Sequence, residues 1–316
     1  MSKQIKTNIS FLSANKKDTV QCWLYEAEET APKAVVQLSH GMCEYIGRYE
    51  AFIEFLVEEG FAVCGNDHLG HGETSGTQGI DGYFAKENGA ECVIQDLRSV
   101  TKLAQQRWPG LSIFLLGHSM GSFLARKYAA EDAEALAGLI LSGTGGPNPA
   151  AGPGMALTRL FSVFKGDTYR SAFINKLAFG AYLKRIDQPD TPYDWITRDK
   201  EIVKKYAADP KCTFVFTLNG FHEMMKTLKE VNRKDWGARL PKELPVLLFS
   251  GTGDPVGQYG EGVRTVYENL KRGGVKDVTL KLYPDGRHEM LNEINRQEVY
   301  QDVCGWLQAH IAAKKD

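Results

Sequence analysis

Two stretches near the start of the chain, residues 5–12 and 19–26, alternate apolar and polar positions and flank a polar segment at 14–18. That pattern predicts an antiparallel hairpin. Six short, nearly continuous apolar runs follow, at 34–38, 61–65, 112–116, 138–141, 246–249 and 278–283. Such runs suit central strands covered on both faces. Between most of them lie segments with helical spacing, at 49–59, 90–107, 119–132, 262–272 and 295–311; in the last, Val299, Val303, Trp306, Leu307 and Ile311 mark one buried stripe. Strands alternating with helices predict an α/β fold with a parallel sheet, helices on both faces and functional groups at the C-terminal strand ends. The alternation breaks from about 145 to 240, where Gly-Gly-Pro-Asn-Pro and Gly-Pro-Gly lead into helix-like stretches rich in Phe, Leu and Tyr. This segment reads as an inserted cap (lid), leaving 1–144 and 241–316 as the core domain.

Composition narrows the classes. The 316 residues are 43% hydrophobic and 24% charged, the balance of a globular chain. Lys and Arg number 38 against 39 Asp and Glu, so a net charge of −1 offers no field to recruit nucleic acid, and none is expected as a partner. Residues 1–10 lack the apolar stretch of a secretory signal, and no run approaches the roughly 18 apolar residues of a membrane span. A cytoplasmic location is expected. The six cysteines, Cys22, Cys43, Cys64, Cys92, Cys212 and Cys304, form no C-x-x-C pair and read as reduced thiols.

The strongest chemical signal is Gly117-His118-Ser119-Met120-Gly121, between an apolar strand and a helix. A G-x-S-x-G turn of this kind holds its serine in a strained, outward conformation, and the helix start behind it favours an anionic intermediate. Serine needs a base to take its proton and a carboxylate to orient that base. The run ending at Ser250 leads into Gly251-Thr252-Gly253-Asp254, and the run ending at Tyr283 leads into Pro284-Asp285-Gly286-Arg287-His288. Asp254 and His288 thus each lie just past a strand, as acid and base. The rivals are weaker: His222 falls in the cap, His310 sits late in a helix, and Asp285 shares a loop with His288. For an oxyanion hole, Met120 N–H supplies one donor and Met42 N–H, in the loop Ser39-His40-Gly41-Met42, is the candidate for the second. Asp67, His68 and His71 have the residue types of a metal site, but their interleaved glycines favour a tight loop in which Asp67 binds backbone N–H groups. Neither metal nor cofactor is expected. Glu44 and Arg48, four apart, read as a modest surface bridge.

With His40-Gly41-Met42-Cys43-Glu44-Tyr45, Gly47-Arg48-Tyr49, Asp67-His68-x-Gly70-His71-Gly72, the Ser119 elbow, Gly251-x-x-Asp254 and His288 in order, the chain resembles the monoacylglycerol lipase and lysophospholipase branch of the α/β hydrolases. The resemblance spans nearly the whole chain and is strongest over 35–145 and 245–290. It implies an eight-stranded, mostly parallel sheet with a helical cap, and cofactor-free hydrolysis of a single-acyl-chain ester, with Ser119 as nucleophile, His288 as base, Asp254 as orienting acid and the Met42 and Met120 N–H groups as oxyanion donors. At Cys43, Tyr45 and Ser122 the chain departs from the family pattern, which bears on the acyl entrance more than on the chemistry.

In the cap, Met155, Leu157, Leu160, Phe161, Val163 and Phe164 cluster within ten residues. Leu157, Phe161 and Phe164 are the candidate acyl-pocket residues. With Arg159 and Lys165 nearby, the same face suits weak contact with a membrane interface or plain packing on the core. Two other functions stay open. One is a thioesterase or aminopeptidase, the latter with Glu223 or Asp194 anchoring a substrate amine. The other is a non-catalytic ligand receptor that retains a hydrolase fold. The oligomeric state is left open.

Overall fold

The computed structural model describes residues 3–311; residues 1–2 and 312–316, at the ends of the expected core domain, lie outside the described residues. Eight strands form one sheet: β1 Gln4–Leu12, β2 Thr19–Ala27, β3 Val35–Ser39, β4 Ala62–Asn66, β5 Ile113–His118, β6 Gly138–Ser142, β7 Val246–Gly251 and β8 Val278–Tyr283. Their spatial order is β1-β2-β4-β3-β5-β6-β7-β8. The β1–β2 and β2–β4 pairs are antiparallel, and the pairs from β4 to β8 are parallel. This is the sheet that the resemblance implies. The expected apolar runs become buried strands: every residue of β3 to β7 is buried, whereas β1, at the edge, keeps a largely exposed face.

Neighbouring residues along a strand face opposite sides of a sheet. Accordingly Val35, Leu115, Leu139 and Leu248 join one hydrophobic core, and Val36, Leu116, Ile140 and Leu247 join a second. The helices are α1 Glu50–Glu58, α2 Gly72–Gln78, α3 Gly89–Arg107, α4 Met120–Glu131, α5 Ala151–Lys165, α6 Ala172–Phe179, α7 Lys200–Ala208, α8 Leu218–Val231, α9 Trp236–Arg239, α10 Glu261–Arg272 and α11 Arg296–Ala309. Residues of α3, α4 and α10 fill the first core, and residues of α1 and α11 the second. The stripe read on α11 is buried through Val299, Val303, Trp306 and Leu307, with Ile311 packed at its edge.

Helices α5 to α9 lie between β6 and β7. Part of this segment belongs to the main core: Leu218 and Phe221 of α8 and Trp236 of α9 are buried in the first cluster, and Trp236 Nε1 donates to Arg126 O at 3.1 Å. Ile196, Val203, Tyr206 and Cys212 form a small cluster of their own. No helix among the described residues is long and apolar enough to cross a membrane.

Candidate active site

Ser119 sits between β5 and α4 with φ 51° and ψ −120°, a conformation costly for any residue with a side chain. The flanking glycines explain how the turn is accommodated. A Cβ on Gly121 would lie 2.0 Å from Ser39 O, and one on Gly117 would lie 2.4 Å from Gly121 O. Without side chains there, the start of α4 seats directly on the backbone that leaves β3. Ser119 N–H continues the sheet by donating to Ser142 O at 2.9 Å, while Ser122 Oγ donates to Ser119 O at 2.5 Å and accepts from Thr144 Oγ1 at 2.8 Å. Ser122 therefore braces the elbow from behind.

Asp254 lies in the loop after β7 and His288 in the loop after β8, both fully or nearly fully buried. His288 Nδ1 faces Asp254 Oδ1 at 3.0 Å and Oδ2 at 3.1 Å. The carboxylate is itself held, since Ser250 Oγ donates to Oδ2 at 2.9 Å and Val256 N–H to Oδ1 at 2.8 Å. A proton on Nδ1, held toward the carboxylate, leaves Nε2 free to accept another. Burial alone pulls the His288 pKa down, but the adjacent Asp254 carboxylate, with Glu289 and Glu44 further away, more than reverses this and holds it above the ordinary value. Asp285 is exposed, His222 meets Thr158 Oγ1 at 3.2 Å, and His310 meets Asp277 at 3.0 Å.

Ser119 adjoins this pair without being engaged by it. Its chain neighbour His118 has its ring 4.7 Å from that of His288. Among the described residues the Ser119 hydroxyl makes no hydrogen bond to His288, so the candidate acid and base are joined to each other and the candidate nucleophile is not joined to them. Such links often tighten only when substrate binds. The oxyanion candidates flank the elbow. Met120 opens α4, so the helix cannot satisfy its N–H. Met42 N–H has no backbone partner among the described residues, and a Cβ on the preceding Gly41 would lie 3.1 Å from Ser119 Cβ.

His68 and His71, in the neighbouring loop, are fully buried. Burial drives His68 down to about 3 and His71 down to about 4, so both stay neutral. Asp67 acts as the loop reading expects: Ile46 N–H donates to Oδ1 at 2.9 Å and Glu73 N–H to Oδ2 at 2.8 Å. The Glu44–Arg48 expectation is corrected. Their side chains are 3% and 10% exposed, and Arg48 reaches a third buried group, Glu289, whose contribution could not be read from i, i+4 spacing.

The residues expected to line a cap divide. Leu157 and Phe161 are partly buried against the first core, but Phe164 is 76% exposed on the outer surface. An aromatic residue that sequence reading missed, Trp195, lies 5.2 Å from the His288 ring and stacks on Phe179, with Tyr182 against its edge. Gly143, also missed, has φ +56°, a conformation that favours glycine, and a Cβ there would crowd the His288 ring at 3.0 Å. Its signal was its place directly after β6, in line with the other strand-end groups.

Residues 30–295 match the family described as serine aminopeptidase, S33. The chain belongs to this hydrolase family. Its likeness to a highly thermostable carboxyl esterase from Bacillus coagulans, crystallised with glycerol, is 34% identity over 96% of this chain and 98% of that one, with a TM-score of 0.90. It is 28% identical to a monoacylglycerol lipase of Mycolicibacterium smegmatis over 90% of this chain and 91% of the relative. It is also 28% identical to human monoglyceride lipase, over 89% and 84%. The fold is that of the α/β hydrolases.

Proposed function

We propose that the protein is a serine carboxylic-ester hydrolase acting on monoacylglycerol-type substrates through an acyl-enzyme. The observation that carries this is the buried Asp254–His288 pair at the ends of β7 and β8, set beside a strained serine at the end of β5. Ser119 Oγ adds to the ester carbonyl as His288 Nε2 takes its proton, and Asp254 steadies the imidazolium. The Met42 and Met120 N–H groups hold the oxyanion. The imidazolium then protonates the leaving alcohol, and water, activated by the same imidazole, releases the acid.

The names of relatives that match along most of their length favour a glycerol ester. The two candidate amine anchors are already committed, which disfavours an aminopeptidase. Glu223 Oε2 accepts from Ala90 N–H at 3.0 Å, at the start of α3, and Asp194 accepts from Asp190 N–H, Thr191 N–H and Thr191 Oγ1. Within residues 145–240, Trp195 covers the imidazole, which supports reading the part of this segment outside the main core as a cap. The outer faces of α5 and α6 expose Leu160, Val163, Phe164, Phe173 and Leu177 near Lys165 and Lys176, a composition suited to a membrane interface where acyl glycerols reside. Six unpaired cysteines among the described residues suit a reducing cytoplasm.

A hydrolysis screen compares long-chain monoacylglycerols, lysophospholipids, short esters, a matching thioester and an aminoacyl amide. The monoacylglycerol is expected to give the highest kcat/KM; activity confined to short esters, or highest on the amide, would overturn the substrate assignment. In a liposome flotation assay, the Leu160→Asp, Val163→Asp double variant is expected to lose the flotation of the parent protein.

The pH profile has a fixed sign. Neutral His288 is the proton-accepting form, and its pKa is held above the usual ~6.5, so kcat/KM falls as pH drops through a midpoint above about 6.5. Asp254→Asn removes the neighbouring charge. It is expected to move that midpoint to lower pH and to reduce kcat by about 10⁴-fold. An acid limb that stays in place in the variant would show that Asp254 is not the partner of the base.

A further inference from the structure

Two loops that the proposed mechanism requires are joined by one buried side chain. Arg48 lies in the 3-10 turn Ile46–Tyr49. Its Nη1 and Nη2 donate to Glu289 Oε1 and Oε2 at 2.6 and 2.7 Å, a two-pronged bond to the residue that follows His288. Nη1 also donates to Glu44 Oε2 at 3.0 Å. Glu44 Oε1 accepts from Gly41 N–H, one residue before the candidate oxyanion donor Met42, and from Tyr49 Oη at 2.8 Å. The surroundings fix each end. Asn292 Nδ2 donates to Glu289 Oε2 at 3.0 Å, Tyr206 lies under the guanidinium at 4.7 Å, and its hydroxyl donates to Cys43 O at 3.0 Å.

Two carboxylates and one guanidinium are expensive to keep out of water, and apolar residues filling the same space are often as stabilising or more so. Burial raises the Glu44 carboxyl above its ordinary range even beside Arg48, while Arg48 outweighs burial at Glu289 and holds it below its ordinary range. The fork therefore binds Glu289 as the charged partner and reaches Glu44 with its remaining donor capacity.

We propose that Arg48 is a positioning residue whose guanidinium clamps the loop carrying Met42 N–H to the loop carrying His288, setting the distance between oxyanion hole and base. This rests on the roles proposed above for Ser119, Met42 and His288. A lysine keeps the charge but cannot hold both oxygens of Glu289 and reach Glu44 in one plane.

The test measures Arg48→Lys and Glu289→Gln, each normalised by active-site titration with a fluorophosphonate and assayed on the alkaline plateau, where His288 is neutral. Glu289→Gln keeps the shape but sets an amide N–H against the guanidinium, so it decides the matter if the lysine variant does not fold. Both variants are expected to lose about 10- to 100-fold in kcat, the scale of a small misplacement of reacting groups. KM should stay within about two-fold, and affinity for an alkyl boronic acid, which mimics the tetrahedral intermediate, should fall in parallel with kcat. A purely structural role would lower the titrated fraction and leave kcat per site unchanged. Parent-like kcat in the folded variants would overturn the clamp. Absence of a Ser119 adduct in the parent would instead overturn the catalytic assignment on which the clamp rests.

Discussion

Ser119→Ala is expected to lower kcat/KM toward a monoacylglycerol by about 10⁵- to 10⁶-fold while leaving the fold in place. The size follows from what the hydroxyl does: with no Oγ there is no acyl-enzyme, and His288 and Asp254 have no proton to move. The oxyanion donors and the binding surface would remain, so a small rate above the uncatalysed reaction is expected. Stability should change by no more than about 0.5 kcal/mol, because alanine keeps the Cβ and carries the same positive φ that serine already bears. Steady-state kinetics with a circular-dichroism melt measures both. Substantial turnover in a cleanly folded variant would discard Ser119 as nucleophile.

Gly251→Ala is expected to be the most damaging single methyl group near the site. Gly251 ends β7, and a Cβ there would lie 1.8 Å from Gly286 O and 2.0 Å from Gly286 C. These are backbone atoms, so no rotamer change relieves the clash. The same crossing is tied by Gly253 N–H donating to Gly286 O at 2.8 Å, and it places the Asp254 loop against the His288 loop. Spreading the two loops should cost about 3 kcal/mol or more and separate acid from base even in molecules that fold. Urea denaturation and kcat per titrated site are the measurements, with at least a 100-fold drop in kcat expected. Gly305→Ala is the control. It lies in α11 with nothing within 4 Å of a new Cβ, and should stabilise by about 0.5–1 kcal/mol. A Gly251 variant as stable and active as the control would contradict the observed crossing of the two loops.

Much of this arrangement is legible before any coordinates. All eight strands show in the apolar and alternating runs because central parallel strands must bury both faces and an edge strand need not. The serine elbow is legible because its two glycines answer steric demands of the turn itself. Asp254 and His288 could be selected over Asp285 and His310 by their positions past consecutive strands. What stayed hidden depends on contacts distant in sequence. Arg48 and Glu44 have the spacing of any helix-surface pair, and only the fold brings Glu289, 241 residues from Arg48, against them. Between β6 and β7, hydrophobicity marked Phe164, which the structure exposes, and passed over Trp195, whose position over His288 no local periodicity encodes.

Treatment with a fluorophosphonate, followed by peptide mass spectrometry, asks most directly whether one serine is activated by this histidine and carboxylate. The predicted result is a single phosphonyl adduct on Ser119, formed in step with complete loss of esterase activity and slowed by at least about 10³-fold in His288→Ala. An adduct on another residue, or full inactivation with Ser119 unmodified, would contradict the account.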